Sequence, residues 1–391
     1  MSEAPPALDD VFEGIDPYPM WAASRGKCPV AEIPNESSER RTYWVLRFDD
    51  VERVLRDHET FSSSINADTM GPVMAKLMLA MDGKEHRRYR DLVAPAFRAS
   101  ALAKWGEELV EPTVHRLLDA IAPIGRAELV RDLTYAYPVQ IIAAVLGVPV
   151  GDFALFQQWA EGINLGPRDY ATSKAASKAM QEYLAPIVED RRAHPGDDLI
   201  SDIVTAELDG QCLDDDHVYG FLKLLLPAGA ETTYRMLGNC LLALLTHDDA
   251  MADVRADRGL IPAVIEETLR WETSVTMVNR TPVHDVEVAG TVIPAGASVL
   301  AAVGSANRDE HRYETPDEWD LHRPPKPHMA FGTGHHQCLG MHLARLELRV
   351  ALSAVLDRLP NLRLDPDAPA PVIEGIPFRA PNALPVLFDA S

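Results

Sequence analysis

Cysteine is scarce and unpaired in this sequence. Cys28, Cys212, Cys240 and Cys338 lie far apart and form no CxxC spacing. That argues against a disulfide framework or a clustered iron–sulfur site and suits a reducing compartment. Positive charge is also short: 37 Lys and Arg against 59 Asp and Glu give a net charge of −22. Phosphate binding wants a basic surface, so no nucleic acid is expected as a general partner. Long apolar runs are missing too. The longest are interrupted by Lys223, Glu231 or Arg235, so no segment reads as a membrane span. The acidic start, MSEAPPALDDVFEGID, has neither the positive beginning nor the apolar run of a signal peptide, and a cytoplasmic protein is expected. There is no internal repeat, no low-complexity linker and no Gly-rich dinucleotide fingerprint.

What is present is a large apolar fraction, 47%, enough for a substantial core. YWVLRF (43–48) reads as a strand and DDVERVLRDH as a short capped helix after it. From about 82 to 270 the chain reads as mostly helical, broken at GPRDY and AHPGDD. Residues 283–302 alternate around a Gly turn and predict strands; 307–330, rich in Pro, Asp, His and Arg, read as irregular loop. A last helix is predicted over about 339–359, stopped by Pro360, and the proline-rich tail predicts short strands. The expectation is a mainly α protein with small β-sheets, built as a single domain over 1–391.

The chemistry concentrates in FGTGHHQCLG (331–340). Leu339, Leu343, Leu346 and Val350 mark one face of a helix, which puts Cys338 at its N-terminal end, where free N–H groups and the dipole favour a thiolate. Three readings are open. Cys338 could be a buried structural thiol. It could join His335, His336 and His342 around zinc, although adjacent histidines rarely converge on one ion and the glycines would have no role. Third, Phe331, Gly334, Cys338 and Gly340 stand at the spacing of the haem-binding loop of the cytochrome P450 family, which this stretch resembles.

The resemblance implies a cytochrome P450 fold and a haem-thiolate monooxygenase that inserts one atom of O2 into a small apolar molecule. Its cofactor would be haem b, with the Cys338 thiolate as axial iron ligand favouring O–O cleavage. Phe331 would pack near the thiolate, with Gly332, Gly334 and Gly340 admitting the porphyrin. PAGAETT (227–233), unfavourable in mid-helix, resembles the family's oxygen-side helix. Ala228 and Gly229 would leave a groove there, and Thr232 with Glu231, where many members carry Asp, would organise proton delivery. Taken alone, the same stretch reads as a kink or close packing, with Thr232 back-bonding to Ala228. Glu267 and Arg270 match the family's Glu-x-x-Arg, completed by Arg323 as a structural trio. His86, Arg90, Arg280 and His336 fall where the family holds the haem propionates. DDLISDIV (197–204) and NRD (307–309) extend the likeness from about residue 80 to the end.

By the same resemblance, electrons would come from a ferredoxin and its reductase, docking on a patch of Arg87, Arg88, Arg98, Lys104, Arg345 and Arg349, and the enzyme would act as a monomer. The substrate pocket would be lined by segments near 66–80, 160–176, 275–278 and 381–383. MGPVMAKLMLAM and SVTMV make it apolar and methionine-rich, suiting a terpenoid, steroid, fatty acid or aromatic; alternatively these methionines are core.

Overall fold

The longest helix, Asp215–Thr246, runs through the core and is buried along most of its length. Its start is fixed locally. Asp214 accepts a hydrogen bond from the His217 N–H at 2.9 Å, and Asp215 and Asp216 occupy the positive end of the helix dipole. This computed structural model describes residues 16–34, 40–208 and 210–391; most of the acidic start lies outside them. Helices Ala136–Leu146, Phe153–Leu165, Ile261–Trp271 and Met341–Arg358 pack directly on the central helix. Phe153–Leu165 also lies along Tyr170–Ala193, where a Cβ on Gly162 would sit 2.6 Å from that of Ala176, so only glycine permits this approach.

The β part is small and lies to one side. Its main sheet has five strands in the order Val30–Ile33, Thr42–Val45, Ser298–Ala301, Val278–Pro282, Phe61–Ser62, parallel only between the second and third. A hairpin, Val286–Val288 with Thr291–Ile293, turns at Ala289 and Gly290, both with positive φ (48° and 81°), as a two-residue turn requires. Short strands from the tail pair with Arg126–Glu128 and with one another.

The mainly α architecture with small sheets is therefore as the sequence implies, with local differences. The first predicted strand stops at Val45. The helix after it, Phe48–Arg56, is capped from outside: the Phe48 N–H donates to Asp309 Oδ2 at 2.8 Å. GPRDY is a short 3-10 turn, Gly166–Asp169, whose Asp169 caps the next helix through the Thr172 N–H at 3.0 Å. The last helix begins at Met341 with Gly340 as its N-cap, so Cys338 precedes the first turn.

Candidate active site

The cysteine loop is built by two left-handed glycines. Gly332 (φ 66°) and Gly334 (φ 76°) reverse the chain, and a Cβ on Gly334 would stand 2.8 Å from the Leu55 carbonyl oxygen. The reversal lets the Cys338 N–H donate to Phe331 O at 2.9 Å. Gly340 differs. Its φ is −85° and a Cβ there would touch nothing within 4 Å, so its backbone does not demand glycine; its N–H donates to the Cys338 sulfur. Phe331 lies beneath the Arg345 guanidinium, 4.5 Å from ring to cation. Cys338 is exposed, yet protein crowds it closely enough to raise its thiol; the Gly340 N–H, Arg90 and Arg345 oppose that rise.

Beside this loop four bases converge, as the sequence implies. His86 and Arg90 are one turn apart on the helix Gly83–Val93, and the His86 ring lies 4.0 Å from that of His336. Arg280 comes from the main sheet and is buried. Asp82, which sequence reading missed, faces this group 3.9 Å from His336 Nε2, and Asp91 lies near Arg90. Burial, then the neighbouring His336 and Arg90, push the His86 imidazole down to about 3. Burial pushes Arg280 down to about 10, with Asp82 only partly opposing it. The His86 Nε2 is buried with no hydrogen-bond partner among the described residues. Among the described residues Arg280 donates only to the Asn279 carbonyl and Arg90 only to the Gln337 carbonyl. A dianionic macrocycle suits such a surplus of unanswered donors, so the residues fit haem.

Thr232 and Glu231 lie midway along the central helix. Thr232 is half-buried and its hydroxyl donates to Ala228 O at 2.8 Å. Ala228 is exposed while Leu226, Pro227 and Ala230 around it are buried. Gly229 is a correction: its Cβ direction points at Ile142, 3.0 Å away, so its smallness serves packing on Ala136–Leu146. Glu231 is buried, and Arg235 donates to it twice, at 3.1 and 3.0 Å, both times to Oε2.

The trio forms. Glu267 accepts from Arg270 at 2.8 and 2.7 Å and from Arg323 at 2.9 Å. A second buried node was not read from the sequence: Glu272 accepts from Tyr18 at 3.1 Å, Arg308 at 3.2 Å and Arg379 at 2.7 Å. It ties the first described helix and the tail to the same region. Of the supposed basic patch, Arg87, Arg88, Arg98 and Arg349 are exposed. Lys104 is paired with Asp197, and Arg345 is held by Glu266 through two bonds of 2.6 and 2.9 Å, so neither offers a free charge.

A cavity of about 1280 Å³ opens on the Glu231 side of the central helix. Ile65, Asp68, Thr69, Glu161, Asn164, Leu165, Pro381 and Asn382 line it where the sequence implies, and so do residues of 128–135 and 374–380 that it does not. Residues 275–278 are not in the lining, and no methionine is. Met74 and Met81 are buried in the core, and Met70 and Met78 pack against it. The wall instead mixes aromatic rings with charged groups.

These features together define a class. The Cytochrome P450 family model matches residues 163–375, and the chain belongs to that family of haem monooxygenases. Over 98% of its length it is similar, at 35% identity, to cytochrome P450 monooxygenase PikC of Streptomyces venezuelae, covering 94% of that protein. Its fold matches cytochrome P450 CYP109Q5 from Chondromyces apiculatus with a TM-score of 0.86 at 32% identity, covering 96% of each chain. It matches CYP109E1 from Bacillus megaterium, solved with testosterone, equally well at 0.86 and 30% identity, covering 96% of this chain and 100% of that one. Among the described residues no helix is long and apolar enough to cross a membrane.

Proposed function

We propose that Cys338 would supply the thiolate that holds the haem iron, that His86, Arg90, Arg280 and His336 would hold the haem propionates, and that Thr232 and Glu231 on the central helix would manage protons. The observation that carries this reading is the convergence, beside the cysteine loop, of four bases with a buried unpartnered His86 Nε2. When bound, haem supplies the redox centre that activates O2 for insertion of one oxygen atom into a C–H bond or alkene.

The chain's own residues set the conditions. The Gly340 N–H and the nearby Arg90 and Arg345 favour the anionic form of the Cys338 sulfur. The Thr232 hydroxyl donates to Ala228 O, which leaves its lone pairs to accept from a water or reactant beside Ala228. Arg235 occupies only Oε2 of Glu231, so Oε1 is left to take part in a proton relay along the cavity wall. The cavity of about 1280 Å³ is the substrate site in this reading. A single-domain, monomeric cytoplasmic enzyme would receive electrons from a ferredoxin and its reductase, with Arg87, Arg88, Arg98 and Arg349 as the docking charges.

The test is coupling. With ferredoxin, reductase and a turned-over substrate, Thr232→Ala should keep its fold, since Ala suits a helix better than Thr, and should still consume NAD(P)H. Product per NAD(P)H should fall while hydrogen peroxide rises, and Thr232→Ser should lose much less. Full coupling in Thr232→Ala would reduce Thr232 to a helix-packing residue.

A further inference from the structure

We propose that Glu161 is a specificity residue of the large cavity and that the preferred substrates are apolar molecules carrying an ammonium group. This rests on the reading of that cavity as the substrate site. Most acids in its wall are already answered. Asp68 pairs with Arg40 at 3.0 Å, and Glu231 with Arg235. Glu128 accepts backbone N–H groups of Val130 and Arg131 at 3.0 and 2.9 Å, and Glu374 accepts from Asn382 at 3.4 Å. Glu161, projecting from Phe153–Leu165, has no hydrogen bond or ion pair among the described residues.

Glu161 is exposed toward the open cavity and has a second carboxylate for company. Burial first, then the nearby Glu231, raise its carboxyl above the ordinary range. The guanidinium of Arg235 is paired with Glu231, which leaves Glu161 beside a second carboxylate and without a cation of its own among the described residues. The neighbouring surface is aromatic: Tyr135 and Tyr234 meet edge to face at 5.0 Å, and both line the cavity. Arg235 sits 4.9 Å above Tyr234 and 5.6 Å from Phe378, so these rings already host a cation. An ammonium beside Glu161 would complete the charge balance, as the ring faces and the free carboxylate both attract it, while an apolar body fills the rest of the cavity. A carboxylate-bearing ligand would meet repulsion at the same place.

The test uses the haem-loaded enzyme and three probes of one chain length, below their micelle-forming concentrations: dodecyltrimethylammonium, dodecanol and dodecanoate. The quaternary nitrogen has no lone pair, so it cannot ligate iron. Dissociation constants come from equilibrium dialysis with labelled probes. The cation should bind about tenfold more tightly than the alcohol, a difference of about 1.4 kcal/mol, and dodecanoate more weakly than either. Glu161→Gln should bring the cation to within about twofold of the alcohol while leaving the alcohol unchanged, and Glu161→Arg should favour dodecanoate. Equal binding of cation and alcohol, no binding of the cation, a preference that survives in Glu161→Gln, or a uniform loss for all three probes would each overturn the proposal. Failure of the haem-thiolate reading shows separately, as loss of the red-shifted reduced-CO band in the same preparation.

Discussion

Substituting Glu267 by Gln keeps the side chain's shape and removes its charge, at a site where both arginines depend on that charge. Glu267 Oε1 accepts from Arg270 Nη2 at 2.7 Å, Arg323 Nε at 2.9 Å and the Asp320 N–H at 3.0 Å; Oε2 accepts from Arg270 Nε at 2.8 Å. A glutamine oxygen can keep the first three. Its NH2 would then face the Arg270 Nε–H, donor against donor, and two buried guanidiniums would share no anion. A hydrogen bond to a charged group contributes about 1.5–3 kcal/mol, and breaking a buried ion pair from one side costs about 3–5 kcal/mol. Since Glu267 and both arginine side chains are at most 9% exposed, the expected loss is about 3–5 kcal/mol. Arg270 also donates to the carbonyls of Asn307, Pro316 and Glu318, and Arg323 to those of Thr315 and Glu318. These bonds pin the loop leading into the cysteine motif, so haem retention should fall as well. Urea unfolding followed by far-ultraviolet circular dichroism reads the stability. A loss below about 1 kcal/mol, the value of an exposed pair, would refute this reasoning.

Three further outcomes are expected. Burial works to raise the Glu266 carboxyl, but Arg345 and His328 outweigh it and hold it at about 2, against an ordinary 4.5; its contribution is therefore present above pH 4.5 and lost as pH falls toward 2. Acid unfolding of Glu266→Gln should be flatter in that window, and an unchanged slope would remove the pair from the acid response. Gly334→Ala should lower the melting temperature, because its φ is 76° and its Cβ would crowd Leu55 O; Gly340→Ala should leave the melting temperature nearly unchanged, because its Cβ would enter open space, yet reduce haem content if that space next to the cysteine loop receives the porphyrin, and equal behaviour of the two would contradict their separate roles. Arg349→Glu should slow reduction by ferredoxin more than Lys104→Glu, whose parent charge is already paired with Asp197; stopped-flow rates should converge as salt is added, and identical rates would dismiss the patch.

What the sequence reveals here is whatever lies close in the chain. The cysteine loop, the Glu267–Arg270 spacing, His86 with Arg90 and the Thr232 back-bond all sit within a helical turn or two, where spacing constrains geometry. Arg323 reaches Glu267 across 56 residues and Arg280 stands far along the chain from both His86 and His336, and only the family resemblance placed them. The Asp309 cap on Phe48 spans 261 residues, and the Glu272 node joins Tyr18 to Arg379; no local period encodes such contacts. Gly229 and the methionines of 70–81 show the other failure. Small and apolar residues look alike in a sequence whether they line a cavity or fill a core, and the packing partner, Ile142 for Gly229, decides.

The haem ligand is tested most directly by the absorption spectrum of the reduced protein under carbon monoxide, compared between the native chain and Cys338→Ser. The native protein should show a strong Soret band, red-shifted on reduction with carbon monoxide as a thiolate ligand requires. Cys338→Ser should lose that red shift even where it retains haem. The same red-shifted band in Cys338→Ser would contradict the assignment of Cys338 and turn attention to another ligand, with His335 and His336 the next positions to substitute.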